Sequence, residues 1–424
     1  MTNFLGTAVL LLLLIVVIGF ANEKLTKLTY EISLMIFSIV IGGIVTAVGM
    51  ILKGTTVAGL LTEIRVFDLK GFLMEGVLCF MLFAGSCHMK LRDFRRLFRP
   101  IGILAVLGTL AGALLYGTLF FAFSSVLGLS FSFPMCLMFG SIIAPTDPIA
   151  ATSILNKFGL PKNISFVIEG ESLLNDGVGV ALFVCFSGMV TMEAGGGFFQ
   201  VLFRELFGAV AIRTVVTLLL FQIFSRTEDR FRRIFVSLLS VALSYFLCEK
   251  LECSGAIASV VCGVLYATLI EREEAKHGAM ELKEFETFWE ILDNLFNSIL
   301  YVILGFSFVH ILLMQNVILL SAAAVVCNLA ARFLSVYGST FLLGPIPDGY
   351  DRMSFSKLFT WGGLRGGLSI ALAMSTNSML PEDIYHIVLG CTYAIVFFTT
   401  VVQGLSMRKV YETIKAGLKT PAKA

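Results

Sequence analysis

The chain has 424 residues, of which 57% are hydrophobic and 14% charged, with a formal net charge of +2. Soluble domains carry about 25% charged residues, so this composition excludes an ordinary soluble globule. The mean hydropathy of +0.92 predicts that the lipid bilayer surrounds much of the chain. The small net charge gives no support for nucleic-acid binding.

Apolar runs of roughly 15–27 residues recur with short polar gaps, which is the spacing of membrane-spanning helices. They predict about thirteen spans, at residues 4–21, 32–51, 71–89, 101–127, 131–155, 164–192, 206–224, 234–248, 255–270, 291–313, 317–343, 358–375 and 384–405. The first run has no basic region before it and no small-residue cleavage site after it. It is therefore predicted to be a retained span rather than a signal peptide.

The loop charges support this count, because cytoplasmic loops of membrane proteins are enriched in Lys and Arg. The loops after odd-numbered spans, together with the C-terminal tail, carry 23 of these residues, and the loops of the other side carry 4. A miscounted span would have mixed the two groups. The alternation predicts a multi-pass protein of the inner or plasma membrane, with its N-terminus outside and its C-terminus in the cytoplasm.

The fifth predicted span is interrupted at residues 144–148, which read Ala-Pro-Thr-Asp-Pro. Pro145 and Pro148 each lack a backbone N–H and free the carbonyl four residues earlier, and freed carbonyls in a membrane need a cavity or a partner. With the Thr146 hydroxyl and the Asp147 carboxylate they form a set of hard oxygen ligands suited to Na+ or Li+. The alternative is a simple proline kink whose aspartate bonds to a neighbouring helix.

The sixth predicted span carries a polar stripe at residues 169–176, which read Glu-Gly-Glu-Ser-Leu-Leu-Asn-Asp. At 3.6 residues per turn, Ser172 and Asp176 share one helix face, as do Glu171 and Asn175. The apolar run after Asp176 places it near mid-membrane, where an ionisable group by default marks function or pairing. The stripe predicts an entry path for a proton or cation. For its first glutamate, a solvated helix end is the alternative.

Two arginines lie inside later predicted spans. Arg332 in the eleventh span cannot lose its charge and needs a buried anion or water, for which Glu171 is the leading candidate. Two compatible roles stay open for Arg332, a fixed charge that tunes the site and an ion pair that joins two helices. Arg365 in the twelfth span lies among four glycines, including Gly363 and Gly366, which predict an unwound or tightly packed helix crossing. The alternative for Arg365 is a side chain that reaches the membrane interface.

Breaks in the fifth and twelfth spans, seven apart, predict two inverted six-helix repeats with crossing discontinuous helices at the binding site. The predicted fold class is therefore an all-α polytopic membrane protein with one transmembrane domain. Its predicted parts are repeat one at about 1–192, a linker helix at about 203–225, repeat two at about 230–407 and a short cytoplasmic tail at 408–424.

Features of enzymes and nucleotide-driven transporters find little support in the sequence. The four histidines are far apart, and the nine cysteines show no CxxC spacing, so a zinc site is not predicted. Walker-type and Rossmann-type glycine patterns in a suitable context are missing, and no nucleophile is paired with a base. No cofactor is expected, and neither is an intramembrane enzyme.

These motifs resemble those of the monovalent cation/proton antiporters of the sodium/proton exchanger type, particularly the bacterial and archaeal NhaP-like members. The matching strings are PTDP at 145–148, GESLLND at 170–176, AR at 331–332 and GGLRG at 362–366. The resemblance extends over essentially the whole chain. It implies a homodimer, two inverted repeats in each protomer, and exchange of Na+ or Li+ for H+ without a cofactor.

The resemblance also implies roles for individual residues. Two carboxylates would alternate between protons and a cation, two hydroxyls would add oxygens, and an amide would steady the crossing. This implied ion-binding set consists of Asp147, Asp176, Thr146, Ser172 and Asn175. The family ion pair between the sixth and eleventh spans matches Glu171 and Arg332. The pair Asn175-Asp176, in place of two successive aspartates, resembles the electroneutral, one-for-one branch.

The third predicted span departs from the family pattern, because Ala84-Gly85 stands where several relatives have an acidic residue before the glycine. One possible ligand is therefore missing, and the choice of ion stays open. A K+/H+ antiporter and a Na+-coupled solute symporter on the same fold are the alternatives within transport. A cation channel is a different class, but the sequence lacks the rings or repeated filter motifs expected of channels.

The predicted mechanism is competition between ions at a buried carboxylate. Burial away from water favours the protonated form of a carboxyl group, whereas a neighbouring cation favours the ionised form. A proton and a cation therefore exclude each other at Asp176. Rocking of one helix bundle then exposes the site to each side of the membrane in turn.

Overall fold

The computed structural model describes residues 4–51, 68–89, 91–192, 198–277, 282–312 and 317–419. Within these ranges the chain is almost entirely helical and forms no β-strand. The prediction of an all-α polytopic membrane protein is confirmed.

The first eight helices are α1 Phe4–Ala21, α2 Tyr30–Ile51, α3 Leu69–Ser86, α4 Leu91–Arg96, α5 Phe98–Val126, α6 Phe133–Ile143, α7 Pro148–Lys157 and α8 Lys162–Thr191. The remaining helices are α9 Phe198–Phe203, α10 Ala209–Arg226, α11 Arg230–Lys250, α12 Gly255–His277, α13 Lys283–Leu312, α14 Val317–Leu343, α15 Arg352–Trp361, α16 Gly367–Ser375 and α17 Glu382–Lys419.

Eleven helices in the described part of the chain are long and apolar enough to cross a membrane. The fifth and twelfth predicted spans are not among them, because each is divided into two short helices. The first break, residues 144–147, separates α6 from α7, and the second break, residues 362–366, separates α15 from α16. Eleven continuous and two divided helices agree with the thirteen predicted spans.

The last helix is longer than predicted. The sequence placed the end of the thirteenth span at residue 405 and a short tail at 408–424, but the helix continues through residues 408–419. Beyond the apolar run it becomes amphipathic, and it buries Met407, Tyr411 and Ile414 on one face. Burial of this face against the rest of the protein stabilises the helix after the run of apolar residues has ended.

Each divided span begins with a capped helix. At the start of α6, the Ser132 hydroxyl accepts a hydrogen bond from the Met135 N–H at 3.4 Å, and Pro134 occupies the first turn. At the start of α15, the Asp351 carboxylate accepts from the Ser354 N–H at 3.0 Å. These local signals define one end of each helix, and the proline-rich or glycine-rich break defines the other.

Close helix packing around the breaks depends on glycine. A Cβ at Gly140 of α6 would lie 2.1 Å from the carbonyl oxygen of Ala113 in α5. A Cβ at Gly179 of α8 would lie 2.4 Å from Cγ of Pro145. The missing side chains therefore let α5 and α8 pack directly against α6 and the first break.

We expect Gly140→Ala to destabilise the protein by about 1–3 kcal/mol, because a backbone carbonyl cannot move aside to make room. The matched control is Gly338→Ala in α14, where no described atom lies within 4 Å of the added Cβ. The control should leave stability unchanged or raise it slightly, since alanine is the better helix former. Melting temperatures of the purified proteins in detergent measure the difference, and equal values for both variants would contradict the packing argument.

Candidate ion-binding site

The two breaks lie directly against each other. The Asp147 N–H donates a hydrogen bond of 2.8 Å to the carbonyl oxygen of Leu364, and the two residues form an isolated antiparallel bridge. Backbone that leaves a helix inside a membrane has polar groups that need partners. The crossing supplies one such partner and brings together two segments more than two hundred residues apart in the chain.

Arg365 fills the crossing with its guanidinium group. Its side chain is buried, and Nη1 donates to the carbonyl oxygens of Ala144 at 2.6 Å and Pro145 at 2.9 Å. Nη2 donates to Oδ1 of Asn328 at 3.1 Å. The positive charge thus lies at the carbonyl end of α6, where the helix dipole favours a cation. The structure does not place Arg365 at the membrane interface.

The carbonyl oxygens of the first break differ from the sequence prediction. The sequence predicted that the backbone carbonyls freed by the two prolines are ligands of the transported cation. The carbonyl freed by Pro148 is that of Ala144, and it accepts from Arg365 instead. A fixed guanidinium already satisfies this oxygen and repels a second positive charge. The side-chain oxygens that remain at the break are those of Thr146 and Asp147.

Helix α8 is joined to the first break by a buried hydrogen-bond network. The Thr146 N–H donates to Oδ1 of Asn175 at 3.1 Å, and Nδ2 of Asn175 donates to the Thr146 hydroxyl at 2.7 Å. The hydroxyls of Thr146 and Ser172 lie 2.8 Å apart. All three side chains are at most 1% exposed. Because both ends of the Asn175 amide are engaged, this residue holds the break in position.

Glu171 and Arg332 form a buried, bidentate ion pair. Nη1 and Nη2 of Arg332 lie 2.9 and 3.0 Å from the two carboxylate oxygens, and the side chains are 6% and 1% exposed. Asn175 donates a further hydrogen bond of 2.9 Å to Oε1 of Glu171. Both oxygens of the carboxylate are therefore occupied, and the pair joins α8 to α14 with no net charge.

Two positions of the second break have no room for a side chain larger than that of glycine. A Cβ at Gly363 would lie 2.9 Å from Nε of Arg332, and a Cβ at Gly366 would lie 3.0 Å from Oδ2 of Asp147. Any larger residue would displace the ion pair or the carboxylate. The second break therefore approaches both charged groups closely because it has no side chains at these positions.

A cavity of about 330 Å³ adjoins the crossing and is lined by α3, α7, α8, α13, α16 and both breaks. Its polar lining residues are Thr146, Asp147, Thr152, Asn156, Glu169, Asp176, Asp293, Asn297 and Ser369. Four of these are carboxylic acids, and none of the lining residues is basic. Such a site attracts small cations. Asp147 and Asp176 are both half-buried and exposed to this cavity.

The structure brings together all the residues that the sequence selected. Thr146, Asp147 and Asp176 line the cavity, and Ser172 contacts Thr146 from behind. In the third span, where Ala84-Gly85 departs from the family pattern, Gly85 lines the cavity whereas Ala84 is buried in a cluster rich in aromatic residues. Neither residue supplies the carboxylate that several relatives have at this point.

Sequence reasoning assigned no role to three residues of α13. Asp293 lines the cavity and is held by Asn297, whose Nδ2 donates to Oδ1 of Asp293 at 3.0 Å. The Tyr301 hydroxyl donates to Oδ2 of Asp147 at 2.7 Å. The available signal was the spacing of 293, 297 and 301, which places three polar residues on one face of an apolar helix.

Two other charged residues of the spans have partners on other helices or loops. Arg204 forms an ion pair of 2.8 Å with Glu252, and both side chains are exposed. Arg213 is fully buried, and its Nη1 donates to the carbonyl oxygen of Ser240 in α11 at 2.8 Å. Neither arginine lines the cavity, so neither adds positive charge there.

Comparison with known proteins gives relatives over most of the chain. The Na(+)/H(+) antiporter NhaP of Pseudomonas aeruginosa is 32% identical over 369 residues, which cover 84% of this chain and 84% of that protein. The Na(+)/H(+) antiporter NhaH of Halobacillus aidingensis is 31% identical over 428 residues, with coverage of 96% and 97%.

A solved structure supports the fold, and a sequence profile defines the family. The sodium proton antiporter MjNhaP1 from Methanocaldococcus jannaschii aligns with a TM-score of 0.75 over 99% of both chains, at 19% identity. The profile of the family described as "Sodium/hydrogen exchanger, transmembrane" matches residues 3–412. The resemblance seen in the sequence motifs is confirmed. The chain belongs to the sodium/hydrogen exchanger family, so it is a multi-pass membrane transporter of the cation/proton exchange class and not an enzyme.

Proposed function

We propose that this protein exchanges Na+ or Li+ for H+ by competition of the two ions at Asp147 and Asp176. The observation that carries the proposal is the cavity, to which both half-buried aspartates are exposed and whose lining contains no basic residue. The two buried arginines near it are engaged by Glu171 and by backbone carbonyls. The relatives named as Na(+)/H(+) antiporters support Na+ as the cation.

The chemistry of the site follows from its oxygen atoms. An ionised carboxylate beside a small cation is favourable, whereas a carboxylate buried without one favours the protonated form. Asp147 and Asp176 provide the carboxylates, and the hydroxyls of Thr146 and Ser172 can turn their lone pairs towards the cation. Each cation that leaves is then replaced by a proton, and no cofactor takes part.

One-for-one stoichiometry is part of the proposal. Residue 175 is an asparagine whose amide holds Thr146, so the site has no second acidic group directly before Asp176. Glu171 is neutralised by Arg332 and adds no further proton. Exchange of one cation for one proton moves no net charge across the membrane.

The assembly is proposed on the basis of the sequence. The loop charges support a topology with the N-terminus outside and the C-terminus in the cytoplasm of a cell membrane. The family resemblance supports a homodimer. We propose that residues 1–192 and 230–407 are inverted repeats, an arrangement that suits alternating access by rocking of one bundle.

Acid-loaded proteoliposomes with an internal pH dye test the choice of ion. We expect Na+ and Li+ to dissipate the pH gradient and K+ to have little effect, and we expect the rate to be independent of an imposed membrane potential. Vesicles without protein provide the background. An equal response to K+ would favour a K+/H+ antiporter. Steady current without proton coupling would favour a channel, and a rate that follows the potential would contradict one-for-one exchange.

A further inference from the structure

The polar face of α13 bears on the competition between the proton and the cation for the site. This face consists of Asp293, Asn297 and Tyr301, one turn apart. Asp293 and Asn297 line the cavity, and Tyr301 contacts Asp147, which lines it as well. Resting on the proposed function, we infer that Tyr301 is a positioning residue whose hydroxyl keeps Asp147 ionised and so opposes proton binding there.

The contact between Tyr301 and Asp147 is short and buried. The hydroxyl donates to Oδ2 at 2.7 Å, and the tyrosine side chain is 1% exposed. The two residues are 154 positions apart, so the contact exists only because α13 packs beside the first break. Hydrogen bonds to an ionised oxygen at this distance are among the stronger ones in proteins.

The hydroxyl is not needed for packing. Tyr301 belongs to a cluster of buried apolar side chains that includes Leu73, Val302 and Ile370. A phenylalanine would fill the same space, and the hydroxyl group alone extends to the break. A buried hydroxyl without a partner costs free energy, so the carboxylate and the phenol stabilise each other.

The direction of the hydrogen bond determines its effect on ion binding. A donor to a carboxylate favours the ionised form, because protonation removes negative charge from the accepting oxygen. A cation at Asp147 leaves the carboxylate ionised, so the hydroxyl continues to have a negative acceptor. Tyr301 therefore weakens proton binding at Asp147 more than it weakens cation binding there.

Other ionisable groups surround Asp147 and are unchanged by a substitution at Tyr301. They are Asp293 on α13, Asp176 and Glu169 on α8, Glu31 on α2 and Arg365 in the second break. The cavity lining from α3 and α16 contributes no ionisable group. A change in pH dependence after loss of the hydroxyl can therefore be assigned to its contact with Asp147.

The test is Tyr301→Phe in proteoliposomes, with exchange measured over a range of pH and Na+ concentration. We expect the acidic limb of the activity profile to move to higher pH by about one unit. Within that limb the apparent KM for Na+ should rise about tenfold, because protons compete better. At alkaline pH, where Asp147 is ionised in both proteins, KM and kcat should remain within about threefold of the wild type.

The matched control is Tyr393→Phe. Tyr393 on α17 is 2% exposed, lies in the same hydrophobic cluster as Tyr301 and does not line the cavity. It should leave the pH profile unchanged. If Tyr301→Phe lowers the yield of vesicles, the same competition between Na+ and H+ can be measured in detergent. The measurement is the rise in melting temperature that Na+ causes at each pH.

Three results would overturn the role of Tyr301 while the wild-type protein exchanges Na+. These are an unchanged profile in Tyr301→Phe, an equal rise of KM at every pH, and the same shift in the Tyr393→Phe control. A wild-type protein with no cation-dependent exchange in the same vesicles would count against the proposed function itself, and with it against the inference that rests on it.

Discussion

Replacement of Asp176 by asparagine is expected to reduce cation-dependent proton movement to the level of vesicles without protein. Asparagine keeps the size of the side chain and an oxygen ligand but can neither carry the negative charge nor release a proton. Asp176 is half-buried and lines the cavity together with Asp147. Asp147→Asn should have the same effect. The measurement is the response of the internal pH dye to Na+ after acid loading.

The matched control is Glu205→Gln, which removes a buried carboxyl group outside the cavity. Glu205 is 5% exposed and lies in the turn between α9 and α10. Exchange should persist in this variant. Full exchange by well-folded Asp176→Asn protein would remove Asp176 from the site, and equal loss in Glu205→Gln would show that the assay reports general damage instead.

Breaking the ion pair between Glu171 and Arg332 is expected to be the most destabilising single change in the molecule. Arg332→Met leaves an ionised carboxylate in the protein interior with one remaining hydrogen bond from Asn175. Loss of one partner of a buried pair costs about 3–5 kcal/mol. The double variant Glu171→Gln with Arg332→Met removes both charges and should recover most of this loss. Melting temperatures of the wild type, the two single variants and the double variant complete a double-mutant cycle.

The same four proteins separate the two roles that the sequence left open for Arg332. A double variant that is stable and still exchanges Na+ assigns the pair to structure. A stable double variant without exchange assigns the fixed charges to tuning of the ion site. Costs that simply add in the double variant would contradict the direct pairing seen at 2.9 and 3.0 Å.

The position and type of the helices could be read from the sequence, because the signals are local. Apolar length determines where a span lies, and the proline pair at 145 and 148 and the glycines around Arg365 determine where two spans break. The sequence did not show that residues 408–419 remain helical after the predicted end of the last span, because their helix depends on burial of one amphipathic face. Such burial depends on a neighbour that hydropathy alone does not show.

The contents of the site could also be predicted in large part, but the pairing of its atoms could not. The short polar strings identified Asp147 and Asp176, and the limited number of buried charges identified Glu171 as the candidate partner of Arg332. By contrast, the carbonyls freed by the prolines were predicted to bind a cation. In the structure, the carbonyl oxygens of Ala144 and Pro145 accept hydrogen bonds from Arg365. A proline shows that a carbonyl is free but does not show which group will satisfy it.

The sequence by itself therefore determined a membrane transporter with two broken spans and with carboxylates inside its apolar spans, because lipid imposes strict length and polarity on each helix. Only the tertiary structure placed Tyr301 against Asp147, Arg365 on the end of α6, and Asp293 in the same cavity. These contacts join residues from distant helices. Their partners are set by how the helices pack, and in an apolar chain many different packings satisfy the same hydrophobic pattern.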